Sequence, residues 1–245
     1  MFDALFHAAH TAVIHLSTVL APVGGAAAAV VAVTVLVRLL VHPLTRAAVR
    51  GERARAALAP QLAALRKKHG KDTAALAQAM TDLHREAGVS PLAGFGPMLL
   101  QAPVFIVLYQ LFASATVAGQ ANVLLDSTMF GVPLSAHLLA PAAAWLPHLV
   151  VFGGVVAVLT ALAWASSQRA VRLAAQQETP PTGLLAALPR VLPYAVLVSA
   201  VVLPLAAVLY LATSTAWTVA ENALLRRGYP ARAASGLPAP GGAVA

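Results

Sequence analysis

The residue whose chemistry fits its surroundings least is Arg38, flanked by Val35, Leu36 and Val37 on one side and Leu39, Leu40 and Val41 on the other. A guanidinium stays charged and offers several N–H donors, so it can attract a carboxylate or gather hydroxyls and water around itself. On a lipid-facing helix such a charge costs about 2 to 3 kcal/mol at mid-bilayer and less toward the edge. Eight residues separate Arg38 from Arg46, which at ~1.5 Å each puts the cation about 12 Å inside the cytoplasmic boundary. Two explanations are open. The long side chain can snorkel to the cytoplasmic headgroups, or it can occupy a hydrated cavity beside polar partners. Thr34, one turn earlier on the same helical face, and Gln101 are candidates for such partners.

Other chemistry finds little support. The chain has no cysteine, which excludes disulfides, thiolate metal sites, cysteine nucleophiles and a lipidated N-terminal cysteine. There is no HExxH or GxSxG motif and no pair of membrane-embedded aspartates, and the scattered histidines lack ligand spacing. The expectation is a protein that is not an enzyme and carries no cofactor and no metal. A small anion transporter or channel built around Arg38 is the main alternative function, and a purely structural scaffold is another.

The elements that would position Arg38 follow from composition. Hydrophobic residues make up 60% of 245 positions and charged residues 10%, with a mean hydropathy of +0.80, too apolar for a surface wholly in water. A formal charge of +8 in a soluble protein would point to nucleic acid; here the location of the charges points elsewhere, and no specific nucleic acid partner is expected. Measured against the roughly 20 residues that cross a ~30 Å core, the apolar runs give five spans at about 23–45, 92–117, 148–166, 184–203 and 204–225. Pro204 divides the last two, since one helix cannot run through so long a stretch with a breaker in it.

Fifteen of the sixteen basic residues fall in three places: nine from Arg46 to Arg85, then Arg169, Arg172 and Arg190, then Arg226, Arg227 and Arg232. Residues 1–22 and 118–147 have neither Lys nor Arg, only Asp3 and Asp126 as charges. The positive-inside bias therefore places the N-terminus outside and the C-terminus in the cytoplasm. Within 1–22, Phe2, Phe6, Ala9, Val13, Leu16 and Leu20 form one helical stripe opposite Asp3, His7, His10, Thr11 and Thr18. This predicts an amphipathic helix in the outer interface; a signal peptide would begin with basic residues. Residues 46–90 carry stripes at Leu58, Leu62, Leu65 and at Leu76, Met80, Leu83, Ala87, split by Gly70 and Lys71, a helical hairpin with Asp72 as cap and Gly88 as stop. It is either a solvated, topology-setting loop or a dock for anionic lipid or partners. Residues 229–245, rich in Pro, Gly and Ala, are expected to be a disordered cytoplasmic tail. The fold class is thus an all-α integral membrane protein: an interfacial helix at 1–22, a core at 23–228 and a tail.

Three stretches, RLLVHPLTRAAV, SPLAGFGPMLLQAPVFIVLYQLF and LPLAAVLYLATSTAWTVAENALLRR, resemble in order the YidC family of membrane protein insertases, relatives of Oxa and Albino. Arg38 with His42, Pro43, Leu44 and Thr45 is similar to the family's arginine followed by an aromatic-Pro-Leu-Thr type turn, with histidine in the aromatic's place. Pro91, Leu92, Gly94, Pro97, Gln101, Pro103 and Phe105 match its most specific pattern. Departures are Leu205 and Ala206, where Ser-Gly is common, Leu211, where a second Tyr often follows Tyr210, and a short second cytoplasmic loop. The resemblance is to the compact five-span, Gram-positive form, expected to lack the large extracytoplasmic domain of many Gram-negative relatives.

The resemblance implies an insertase and chaperone in the bacterial cell membrane, with a groove open to cytoplasm and lipid and closed outside. Arg38 would sit wet within it, with Thr34, Gln101 and Tyr210 as uncharged hydrogen-bonding groups; ordinary interhelical bonding or an interfacial aromatic is the plainer account of the last two. Its partners would be nascent membrane proteins and anionic lipids, with the Sec translocon and the ribosome as further candidates. Arg66, Lys67 and Lys68 near the hairpin tip would make first contact with client, ribosome or lipid.

Overall fold

The computed structural model describes residues 2–70, 72–88, 116–117, 120–122, 125–140, 145–175 and 183–226. The chain divides into two compact units, one drawn from residues 1–41 and 102–223, the other from 42–101 and 224–245. The expected span at 92–117, the motif from Pro91 to Phe105 and the tail at 229–245 lie outside the described residues, save Thr116 and Val117.

The first unit opens with α1 (Phe2–Val19) and a 3-10 turn (Ala21–Val23). Gly24 and Gly25 follow at φ +123° and +53°, conformations that an L side chain resists, and they turn the chain into α2 (Gly25–Ala57). From Val13 onward the predicted stripe of α1 faces protein: Val13 is fully buried and Leu16 and Leu20 pack on the core. On α2, Ala26, Val30 and Thr34 recur every four residues and are buried, whereas Val31, Leu36, Leu39 and Leu40 are exposed. Such an exposed leucine face is a liability in water and an ordinary surface in lipid.

The helix α5 (Trp145–Ala175) is built the same way, with Val151, Phe152, Val155, Leu159, Ala163 and Ser167 inward and Leu149, Val150 and Val158 outward. Trp145 at its first position and Trp164 eleven residues before its end are 69% and 59% exposed. Among the described residues, α2 over Gly25–Gly51 and α5 are the two helices long and apolar enough to cross a membrane.

The fourth apolar run does not form one helix. It breaks into a 3-10 turn (Gly183–Ala186), α6 (Leu188–Val191), a second 3-10 turn (Leu192–Ala195) and α7 (Val196–Val202). Pro189 and Pro193 each lie at the first or second position of a new piece, where a missing N–H does no harm but an existing helix cannot be continued. Ser167 Oγ donates to the Arg190 carbonyl at 2.9 Å, tying this segment to α5. The break anticipated at Pro204 is present: Leu203 is extended, at φ −95° and ψ 152°, as a residue before proline prefers, and α8 (Leu205–Leu225) starts afresh.

Outside the helices, β1 (Thr116–Val117) pairs antiparallel with β2 (Gln120–Ala121), and β3 (Thr128–Met129) with β4 (Val132–Pro133). Leu125, Val132 and Leu134 sink into the core. The Leu205 N–H donates to the Ala136 carbonyl at 2.8 Å and the Ala206 N–H to the Leu134 carbonyl at 3.0 Å, which satisfies donors that a helix start leaves open. The first turn of α8 is thereby covered by the segment that precedes α5.

The second unit contains the C-terminal part of α2, α3 (Ala59–His69) and α4 (Thr73–Glu86), and α3 packs on α4. Where a turn is expected at His42–Thr45, α2 continues through Pro43 as far as Ala57. A proline within a helix removes one backbone bond and crowds the carbonyl four residues earlier, so the change is local. The expected hairpin is present but begins at Ala59. Asp72 caps α4 as predicted, its Oδ1 accepting from the N–H groups of Ala74 and Ala75 at 3.1 and 3.0 Å, and Gly88 ends the helix at φ +63°. Gly70 is required for a different reason: a Cβ there would lie 2.8 Å from the Arg66 carbonyl oxygen. Asp72→Ala should lose about 1 kcal/mol of local stability, read as roughly fivefold faster amide exchange at Ala74 and Ala75, with Asp72→Asn close to the original rate.

Candidate functional site

On α8 the polar side chains are not scattered. Tyr210, Ser214, Trp217 and Glu221 are spaced by four, three and four residues, the repeat that puts side chains on one face. Tyr210, Ser214 and Glu221 are buried, at 2%, 6% and 7% exposure, and Trp217 is half-buried with its Nε1 donor enclosed and without a hydrogen-bond acceptor among the described residues. Burying polar groups in an apolar bundle is unfavourable unless they have partners or a task.

Arg38 supplies the partner. It extends the inward row Ala26, Val30, Thr34 of α2 by one more step of four, and its guanidinium donates a hydrogen bond to Ser214 Oγ. Ser214 also shares a hydrogen bond with Tyr210, and Arg38 interacts electrostatically with both Tyr210 and Glu221. The arrangement is a cation beside two hydroxyls, with a carboxylate in electrostatic range two turns further along and an indole N–H between them on the same face of α8. Thr34 is 1% exposed and its hydroxyl donates back to the Val30 carbonyl at 2.6 Å, leaving only its lone pairs for a neighbour. Of the residues expected in the groove, Arg38 and Tyr210 are brought together through Ser214, Thr34 lies one turn away, and Gln101 falls outside the described residues.

Ser214, Trp217 and Glu221 were not among the residues anticipated from sequence, although their spacing from Tyr210 was there to be read. An arrangement of this kind can hold water, accept a carboxylate from outside on Arg38, and offer an N–H to a carbonyl. It contains no nucleophile paired with a base, and among the described residues no group of three or more His, Cys, Asp or Glu could hold a metal ion.

In the second unit, Arg66, Lys67 and Lys68 are exposed on the last turn of α3, where cations offset the negative end of the helix dipole. Lys68 borders a cavity of about 500 Å³ between α3 and α4 together with Asp82 and Glu86. Arg53 donates to the Leu225 carbonyl at 2.6 Å, closing the C-terminal end of α8.

A model of the family described as 60Kd inner membrane protein matches residues 19–232. Over 87 residues the chain is 45% identical to the membrane protein insertase YidC of Neisseria meningitidis, covering 35% of this chain and 16% of that protein. Over 92 residues it is 37% identical to the membrane protein insertase YidC of Azotobacter vinelandii, covering 38% of this chain and 16% of the relative. The aligned part thus spans about a sixth of the length of these curated relatives.

Proposed function

Since the chain belongs to the 60Kd inner membrane protein family, we propose that it is a membrane protein insertase and chaperone of the bacterial cell membrane, passing client transmembrane segments and short hydrophilic tails into the bilayer. The observation that carries this reading is the bond from Arg38 to the buried polar face of α8. Unpaired polar groups of a client tail cost several kcal/mol each in hydrocarbon; a wet half-channel around Arg38 shortens that path. The cation attracts an acidic client residue, Tyr210, Thr34 and Gln101 provide uncharged hydrogen bonding, and Trp217 offers its indole N–H to a client carbonyl. The client's apolar helix then leaves sideways into lipid, driven by its own burial and, for acidic tails, by the membrane potential. No covalent step, nucleotide or metal takes part.

The same reading takes five spans with the N-terminus outside and the C-terminus in the cytoplasm, α1 at the outer interface, and the second unit in the cytoplasm. The cover that Leu134 and Ala136 provide for α8 supports closure on the outer side. Nascent membrane proteins are the clients; the Sec translocon, ribosome and anionic lipid are further partners.

Two measurements test it. The purified protein in liposomes should integrate a single-span substrate that empty liposomes do not, and saturable solute flux without integration would favour an anion transporter instead. Because the chain has no cysteine, Arg38→Cys provides one labelling site; an impermeant maleimide should reach it from the cytoplasmic side, and a sealed position would sink the groove. Deleting the hairpin at 59–86 while the protein remains stable should lower insertion at least tenfold, and unchanged insertion would refute its role in first contact.

A further inference from the structure

The outer segment contains one residue in an unfavourable conformation. Phe130, between β3 and β4, has φ +50° and is followed by Gly131 at +80°, the left-handed pair of a tight hairpin turn. Glycine accepts that geometry, but a bulky side chain there is an outlier that persists only where the surroundings impose it. They do so here, because Val132 and Leu134 just beyond the turn are buried at 2% and 0% exposure and anchor the hairpin, while Phe130 itself projects at 81%.

The ring borders a cavity of about 410 Å³ whose other walls are Met129, Val150, Val151, Gly154, Val155, Val158, Leu209 and Ala212. Every lining side chain is apolar. A neighbouring cavity of about 570 Å³ shares Met129, Phe130 and Leu209 but also carries the hydroxyls of Ser17, Thr18, Ser127 and Thr128, so the two differ in what they can accept. The wall from α5 lies five to thirteen residues beyond Trp145, or about 8 to 20 Å into the bilayer if that tryptophan marks the outer boundary. Val150 and Val158 are 65% and 50% exposed, so the cavity is open toward the surface of a helix that crosses the membrane. At that depth the surrounding medium is hydrocarbon, and a volume this size is within the range of small-ligand pockets.

We propose that this cavity is a binding site for one acyl chain of an outer-leaflet phospholipid, with Phe130 held over it as a lid. The site rests on the reading of α5 as a membrane span but not on insertase activity.

The test is photolabelling of the full-length protein in phosphatidylglycerol and phosphatidylcholine vesicles doped with a phospholipid bearing a diazirine midway along its acyl chain. Adducts are expected on Met129, Val150 and Leu209. Gly154 has nothing within 4 Å of where a Cβ would be, so Gly154→Phe fills the cavity from its wall and should reduce those adducts at least tenfold, leaving those on the exposed Leu149 and Trp164 unchanged. Phe130→Asn, which accepts the left-handed turn and removes the ring, should reduce them severalfold and serves if Gly154→Phe does not fold. Unchanged labelling at Met129 and Leu209 in both variants overturns the site. Loss of labelling at Leu149 and Trp164 in the unaltered protein overturns the span itself. Crosslinking of a client helix, in place of lipid, from a photoreactive residue at position 130 also overturns the assignment.

Discussion

Arg38→Leu should slow integration of a single-span client with an acidic tail at least tenfold in proteoliposomes, whereas Arg38→Lys should retain most of the rate. A carboxylate ~4 Å from the guanidinium gains about 1 kcal/mol in bulk water and about 4 kcal/mol at the effective dielectric of a partly enclosed site; a tenfold effect needs only ~1.4 kcal/mol. Leucine removes both the charge and the donor to Ser214, so it also leaves a buried hydroxyl pair to satisfy itself. Lysine keeps the charge but not the planar fork. The comparison that decides is between clients: an uncharged tail should lose much less than an acidic one, and equal loss for both would mean that Arg38 acts only on packing. A scaffold without insertion activity predicts no effect of any of these changes.

Leu134→Ala should cost about 2 to 5 kcal/mol, the range for a fully buried leucine that leaves a cavity. Leu134 has 0% exposure and its carbonyl accepts from the Ala206 N–H, so the side chain anchors the backbone that covers the start of α8. Thermal unfolding in detergent micelles, followed by near-ultraviolet dichroism, should show a midpoint lowered by several degrees. An exposed neighbour such as Leu139, at 76% exposure, should tolerate the same truncation within about 0.5 kcal/mol. Equal stability of the two variants would mean that the segment at 125–140 is not part of the cooperative core.

Much of the fold could be read from local rules. The cap at Asp72, the stop at Gly88 and the break at Pro204 each depend on a few adjacent residues and are where the sequence puts them, while the apolar runs at 23–45 and 148–166 coincide with parts of the longer helices α2 and α5. What local rules missed depends on cooperation over distance. A helix carries on through Pro43 because its neighbours on both sides remain helical, and the run at 184–203 fragments because two prolines act together. Val132, Leu134, Ala136 and Leu138 turn inward while Pro133, Ser135 and His137 turn outward, a period of two that belongs to extended chain and that helical spacing does not reveal. At the site, Arg38 is legible as a charge among aliphatics, while the length and overall apolarity of α8 hide Ser214 and Glu221. Position along a helical face, applied to the polar residues rather than the apolar ones, recovers them.

The two exposed tryptophans of α5 have a consequence for the company this protein keeps. Trp145 and Trp164 are nineteen residues apart, about 28 Å along a helix, and indole rings favour the headgroup level on either side. On the proposed reading of α5 as a membrane span, the pair is a caliper for hydrocarbon thickness: in a thicker, more saturated bilayer the lipid must compress around α5, and in a thinner one the helix must lean, each at a cost of fractions of a kcal/mol per Å of mismatch. Regions of membrane whose width matches the caliper are where this chain should gather.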